Sequence, residues 1–156
     1  MSDVRLARID YEDTFVRALR PGAEPTMRDI LAAMATSTPR WVRAAMRVRD
    51  AIVSWLGLKT AKGLGAIDVG ALAPGARVGV FRIFELGEDV AILGEDDRHL
   101  DFRLAIERRG PPAARSIAMV TTVQLHNARG RAYFAPVKRA PRLVVPAMLT
   151  ALARAL

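Results

Sequence analysis

"LDFRLAIERRGPPAARSIAMVTTVQLH", residues 100–126, decides the fold. Leu100, Phe102, Leu104 and Ile106 share one parity, and Asp101 and Arg103 the other. Successive side chains on a strand point to opposite faces, so this run reads as a half-buried strand. "RRGPPAAR" has the glycine and prolines of a turn. Residues 116–126 then alternate again through Met119, Thr121, Val123 and Leu125. Two such runs joined by a short turn are antiparallel neighbours. Matching their apolar faces about a turn centred near Pro111 or Pro112 pairs Leu100 with Val123 and Phe102 with Thr121. It also sets His99 opposite Gln124, Asp101 opposite Thr122 and Asp97 opposite His126.

Upstream, residues 77–86 ("RVGVFRIFEL") turn through "GED" into residues 90–107, which gives a meander of three strands, with the acidic run at residues 95–97 inside the second. A further strand is predicted over residues 7–19, around Ile9, Tyr11, Asp13 and Phe15. Two helices follow it. In the first, Thr26 and Asp29 form a capping-box pattern ahead of Met27, Ile30, Leu31 and Met34. In the second, Thr38 is the cap and Pro39 suits the first turn. There Trp41, Ala45, Val48, Ile52 and Trp55 recur at helical spacing and are expected to face the core, with Arg40, Arg43, Arg47 and Asp50 in solvent and Gly57 as the stop. Residues 59–76 hold too many glycines for a regular element; no GK[ST] ending makes Gly63 and Gly65 a phosphate loop. Near the C-terminus Phe134, Val137, Val144, Met148 and Leu152 fall on one helical face, interrupted by Pro136, Pro141 and Pro146. An interior proline costs about 3 kcal/mol, so the final helix is expected to kink or to start late, over Pro141–Leu156. Val144, Met148 and Leu152 should then face Leu100, Phe102 and Leu104.

The 156 residues suit a single domain over 1–156, and with 51% hydrophobic residues they can bury a sizeable core. No cysteine is present, which excludes disulfides, thiolate chemistry and Cys-based zinc sites. The N-terminal residues lack the apolar run of a signal peptide, and no apolar run reaches the length of a membrane span. The expectation is a bacterial cytoplasmic protein with no membrane partner. The net charge of +8 points toward nucleic acid or an acidic partner. Lys59, Lys62 and Lys138 are the only lysines, however. An arginine excess in a chain rich in Ala, Gly, Val and Pro is what a GC-rich genome supplies without functional demand.

Across nearly the whole chain, the segments "DYEDTF", "PRWVRAAMRVRDAIVSWLGLKT", "GVFRIFE", "GEDDRHLDFRLAI", "TTVQLHNARGRAYFAPVK" and "RLVVPAMLTAL" resemble the START-like superfamily, also called SRPBCC or birch-pollen-allergen-like. Within it they are similar to a bacterial domain-of-unknown-function family. The resemblance implies an α+β helix-grip fold: a curved antiparallel sheet wrapped around a long C-terminal helix, with two short helices after the first strand. It also implies a cavity between the sheet and that helix. It implies no activity, since members of the superfamily variously carry lipids, cyclise polyketides or bind hormones.

Three functions are then open. The first is binding of a small hydrophobic or amphipathic molecule, with Trp41, Arg82, Phe84, Phe102 and Met148 as ligand-binding residues and Trp55 and Phe81 as further lining. Arg82 is placed by parity on the face of Phe84 and Phe102, where it meets either Asp96 or an anionic ligand group. The second is an acid–base enzyme, a cyclase or hydro-lyase, with Asp97 and His126 as catalytic pair and His99 and Asp101 completing a polar patch. A carboxylate beside an imidazole raises its pKa and fixes its tautomer, which suits proton transfer. Against it, the patch lies on the face away from the expected cavity, where the same groups would brace the sheet. The third is binding of nucleic acid or an acidic partner through Arg40, Arg43, Arg47, Arg129, Arg131, Lys138 and Arg139, with no aromatic RNA-binding motif in support. No HxH, HxxxH or HExxH spacing is present, so no metal is expected. No cofactor is implied, and the oligomeric state is not legible.

Overall fold

The computed structural model describes residues 6–55, 69–78 and 81–156, without the side chains of residues 52, 53, 55 and 69. The roles read for Ile52, Trp55, Gly57, Lys62, Gly63 and Gly65 lie outside the described residues. The elements are β1 (Tyr11–Ala18), α1 (Met27–Ser37), α2 (Arg40–Trp55), β2 (Arg77–Val78), β3 (Phe81–Leu86), β4 (Val90–Asp96), β5 (Leu100–Arg109), β6 (Ser116–Leu125), α3 (Ala128–Val137) and α4 (Pro141–Ala155). Short 3-10 turns cover Val69–Ala71 and Pro112–Ala114. The six strands form one curved antiparallel sheet in the order β1-β6-β5-β4-β3-β2. The first strand thus lies against the last, as a sheet closing around a helix requires. With the long C-terminal helix α4, this is an α+β, helix-grip architecture.

One face of the sheet is the core. Ile83, Ala91, Leu93, Leu104, Ile106, Ile117 and Met119 are buried on it, and Ile30, Leu31 and Met34 of α1 pack into the same cluster with Val145, Leu149 and Leu152 of α4. The predicted capping box is present: the Asp29 amide donates to Thr26 Oγ1 at 3.2 Å, and the Thr26 amide donates back to the Asp29 carboxylate at 2.8 Å. Thr38 does not cap α2. It closes α1 instead, its hydroxyl donating to the Met34 carbonyl at 2.6 Å.

Three expectations are corrected. Residues 90–107 are two strands, because residues 97–99 form a turn; the acidic run ends β4 and does not open a strand. The β5–β6 register is displaced by two, with Leu100 opposite Leu125, Asp101 opposite Gln124 and Phe102 opposite Val123. Its cause is the loop between Arg109 and Ser116, where positive-φ Gly110 and the 3-10 turn Pro112–Ala114 move the centre one residue toward the C-terminus. The final helix does start late, as expected: Pro141 begins α4, and a separate helix α3 precedes it, with Pro136 and Pro146 inside α3 and α4. Finally, α4 packs on α1, β1 and β6 instead of β5. Val145, Leu149 and Leu152 are its buried residues, with Val144 and Met148 half-buried.

Candidate functional site

Two places on the molecule concentrate polar chemistry, and they lie at opposite ends of β5. The first is the His/Asp patch. Its anchor is Asn127, the N-cap of α3, whose Oδ1 accepts the Gly130 amide at 3.0 Å. With Oδ1 so used, the Asn127 Nδ2 hydrogens go to the Arg98 carbonyl at 3.0 Å and to His99 Nδ1 at 2.9 Å. His99 Nδ1 thus lies within hydrogen-bond distance of both Asn127 side-chain atoms, 2.9 Å from Nδ2 and 3.2 Å from Oδ1. Gly130 lies directly on the His99 carbonyl, where a Cβ would clash. The first turn of α3 is thereby seated on the start of β5.

His126 is not paired with Asp97. The two-residue shift in register brings it to Asp101, with His126 Nε2 at 2.9 Å from Asp101 Oδ2. The other Asp101 oxygen accepts the Asp97 amide at 3.3 Å, and Asp97 Oδ1 accepts the His99 amide at 3.2 Å. Each carboxylate closes the 97–99 turn on itself. This is the bracing arrangement, and both partners are accessible enough for water to share the pair.

The residues proposed to line a cavity do not meet at one site: Arg82 lies over the Phe84 ring, 5.4 Å from its centroid, but the others are elsewhere. Trp41 is exposed on α2. Met148 is on α4, and Phe102 packs on Phe81 on the core face, centroids 5.4 Å apart. Arg82 pairs with Gly94, and Gly94 pairs in turn with Arg103. Arg82 therefore shares the outer face of the sheet with Arg103, not the face of Phe102. Phe84, two residues on, lies on that outer face as well, its ring against the guanidiniums of Arg82 and Arg103; the bulge between Ile83 and Glu85 shifts only the pairing that follows. The arginine that is buried is Arg103, 6% exposed. Its guanidinium stacks 3.8 Å from the centroid of Phe84 and forms an ion pair with Asp96 at 2.6 Å. Asp96 is thus the partner of the buried arginine, but that arginine is Arg103. Its signal in the sequence was Gly94: a strand position without a side chain, which leaves room for the neighbouring arginine stem. A Cβ there would stand 3.1 Å from Arg103 Cδ and against the Phe102 carbonyl.

The second place is a cleft of about 630 Å³ at the start of α1, between residues 72–74 and the β3–β4 turn. Met27, Leu72 and Leu86 supply its apolar wall; Thr26, Arg28, Glu88 and Arg108 supply its polar rim. Arg108 holds the walls together, donating to Asp89 Oδ1 at 2.7 Å and to the Pro25 carbonyl at 2.9 Å. No pattern announces it, because residues 69–74 have no periodicity and read only as a connection. From Asp101 to Arg108 is seven residues of strand, roughly 23 Å at about 3.3 Å each. The His/Asp patch thus cannot reach the cleft. Among the described residues no group of three or more His or carboxylate side chains is placed to hold a metal, and no helix is long and apolar enough to cross a membrane.

Residues 5–148 match the model of a family described as "Protein of unknown function (DUF2867)". No curated protein matches the chain.

Proposed function

The chain belongs to the DUF2867 family, and we propose that it is a START-like protein that binds a small amphipathic molecule in the cleft at the start of α1. The observation that carries this reading is the cleft itself. Its volume of about 630 Å³ falls within the range of roughly 300–1,000 Å³ usual for small-molecule sites. Its apolar wall and charged rim suit a ligand with an apolar body and a polar end. The location differs from the sheet–C-terminal-helix cavity that the resemblance implies, since α4 contributes nothing to the lining. An acid–base reaction is the weaker reading, because the Asp101–His126 pair lies at the other end of β5.

A thermal-shift screen against fatty acids, polyketides and isoprenoids tests it, since a ligand that binds only the folded state raises the melting temperature. Ala73 is exposed and lines the cleft, so Ala73→Trp should fill the space without touching the core. The expected result is a shift with at least one ligand class in the native chain and none in Ala73→Trp. A shift that survives Ala73→Trp places the ligand elsewhere, and no shift with any class removes the reading.

A further inference from the structure

The apolar faces of α1 and α4 are absorbed by the core, but α2 turns most of its described apolar side chains outward. Val42 is buried and Met46 half-buried, and Arg49 on the same side reaches Tyr133 of α3, its Nε donating to the hydroxyl at 3.1 Å. At 3.6 residues per turn these three fall on one arc. Trp41, Ala44, Ala45, Val48 and Ala51 fall on a separate arc of about 120° beside it, and all five are exposed. Trp41 is 51% and Val48 61% exposed, which overturns the expectation that this stripe faces the core. A solvated helix face is ordinarily polar. Here the apolar stripe is flanked by exposed Arg40, Arg43 and Arg47. Residues 40–49 contain no acidic side chain, and Asp50 is engaged by Arg49 at 3.0 Å.

We propose that α2 is an interfacial anchor that lies along an anionic lipid surface. Trp41 and Val48 enter the boundary between headgroups and acyl chains, while Arg40, Arg43 and Arg47 meet the lipid phosphates. Apolar residues on one side, arginines beside them and a tryptophan, whose ring is polar at one edge, are what such a surface selects. Lying on a bilayer is a separate property from crossing one. A second copy of the chain suits the stripe less well, since an isologous pairing would bring the two arginine rows together. Nucleic acid would engage the arginines but give no reason for Val48 and the alanines to be presented with them. Arg129, one helical turn before Tyr133 on α3 and exposed, adds positive charge beside α2.

The experiment is co-sedimentation of the full chain with phosphatidylcholine vesicles, with and without phosphatidylserine, at low and high salt. Binding is expected only with phosphatidylserine and should weaken as salt screens the charges. Val48→Glu and Trp41→Ala alter exposed positions, so circular dichroism melts should match the native chain. Each should lower the vesicle partition about tenfold or more, and a triple Arg40, Arg43, Arg47→Gln variant should remove the dependence on phosphatidylserine. The proposal is overturned if phosphatidylserine vesicles do not sediment the protein at low salt. It is equally overturned if Val48→Glu binds as well as the native chain, which would leave unspecific charge alone. Concentration-dependent dimers that Val48→Glu dissolves would assign the stripe to a second copy.

Discussion

Thr121 Oγ1 and Asp13 Oδ1 are buried without a hydrogen-bond partner among the described residues, and the two residues are directly opposed on β6 and β1. The other Asp13 oxygen accepts the Tyr11 hydroxyl at 2.6 Å. Burial, then that hydrogen bond, holds the Tyr11 pKa above its ordinary value. The neutral phenol is therefore the folded form; its contribution to stability is present below the unfolded pKa and is lost as pH rises through the folded one. Tyr11→Phe removes the hydroxyl donor from a carboxylate that already has one orphaned oxygen, and should cost about 1–3 kcal/mol. Thr121→Val does the reverse: it exchanges an unpartnered hydroxyl, 1% exposed, for a methyl of similar size. Urea titration should show Thr121→Val unchanged or more stable by up to about 1 kcal/mol. A loss of more than that would mean the hydroxyl is bonded. Gly94 is the opposite kind of position. Because its missing Cβ faces the Phe102 backbone as well as Arg103, Gly94→Ala should be destabilised by about 1–3 kcal/mol. Adding Arg103→Ala should not restore the loss.

At the start of α1 the capping box joins sequence, stability and the cleft. Side-chain and then backbone hydrogen bonds from Thr26 hold the Asp29 carboxyl below its ordinary range. Such a group stabilises the fold above its unfolded pKa, and the contribution disappears as pH falls through the lowered folded value. Thr26→Ala should cost about 1 kcal/mol at neutral pH and less in acid, so its stability difference from the native chain should shrink as pH is lowered. A difference that is constant with pH would show that Asp29 is not coupled to the cap. This element was legible because its signal is local, residues 26 and 29 on one turn. The inner-face alternation of β1, β5 and β6 was legible for the same reason. The β5–β6 pairing was not, since it depends on a loop whose 3-10 turn moved the register by two and replaced Asp97 by Asp101 beside His126. For α2 the period was legible but the side was not: both arcs of the helix carry apolar residues, so the pattern alone does not say which arc is covered. Nothing in residues 69–74 marks them as a cleft wall.

The whole molecule closes on α4. Strand order places β1 beside β6, and α4 lies across that junction while touching α1. The chain's last helix therefore binds its first strand, first helix and last strand into one body. Val145, Leu149 and Leu152 are its buried residues, the last two at 2% and 0% exposure. Burying such side chains contributes about 1.5–3 kcal/mol each, against a typical domain stability of about 5–15 kcal/mol. Removing residues 141–156 also uncovers Met34 of α1 and the adjoining core face of the sheet. The truncated chain should therefore fail to fold, losing its cooperative melt by circular dichroism. Single substitutions grade the same effect. Leu152→Ala should cost about 2–5 kcal/mol, whereas Met148→Ala, at a half-buried position, should cost clearly less, although the sequence stripe alone treats the two as equal partners. If the truncated chain melts cooperatively near the native temperature, α4 is an appendage and the helix-grip arrangement does not carry the fold. The cleft at the start of α1 gives an independent check. It has no lining residue from α4, so Met148→Ala should leave any ligand-induced thermal shift intact even as it lowers the melting temperature itself.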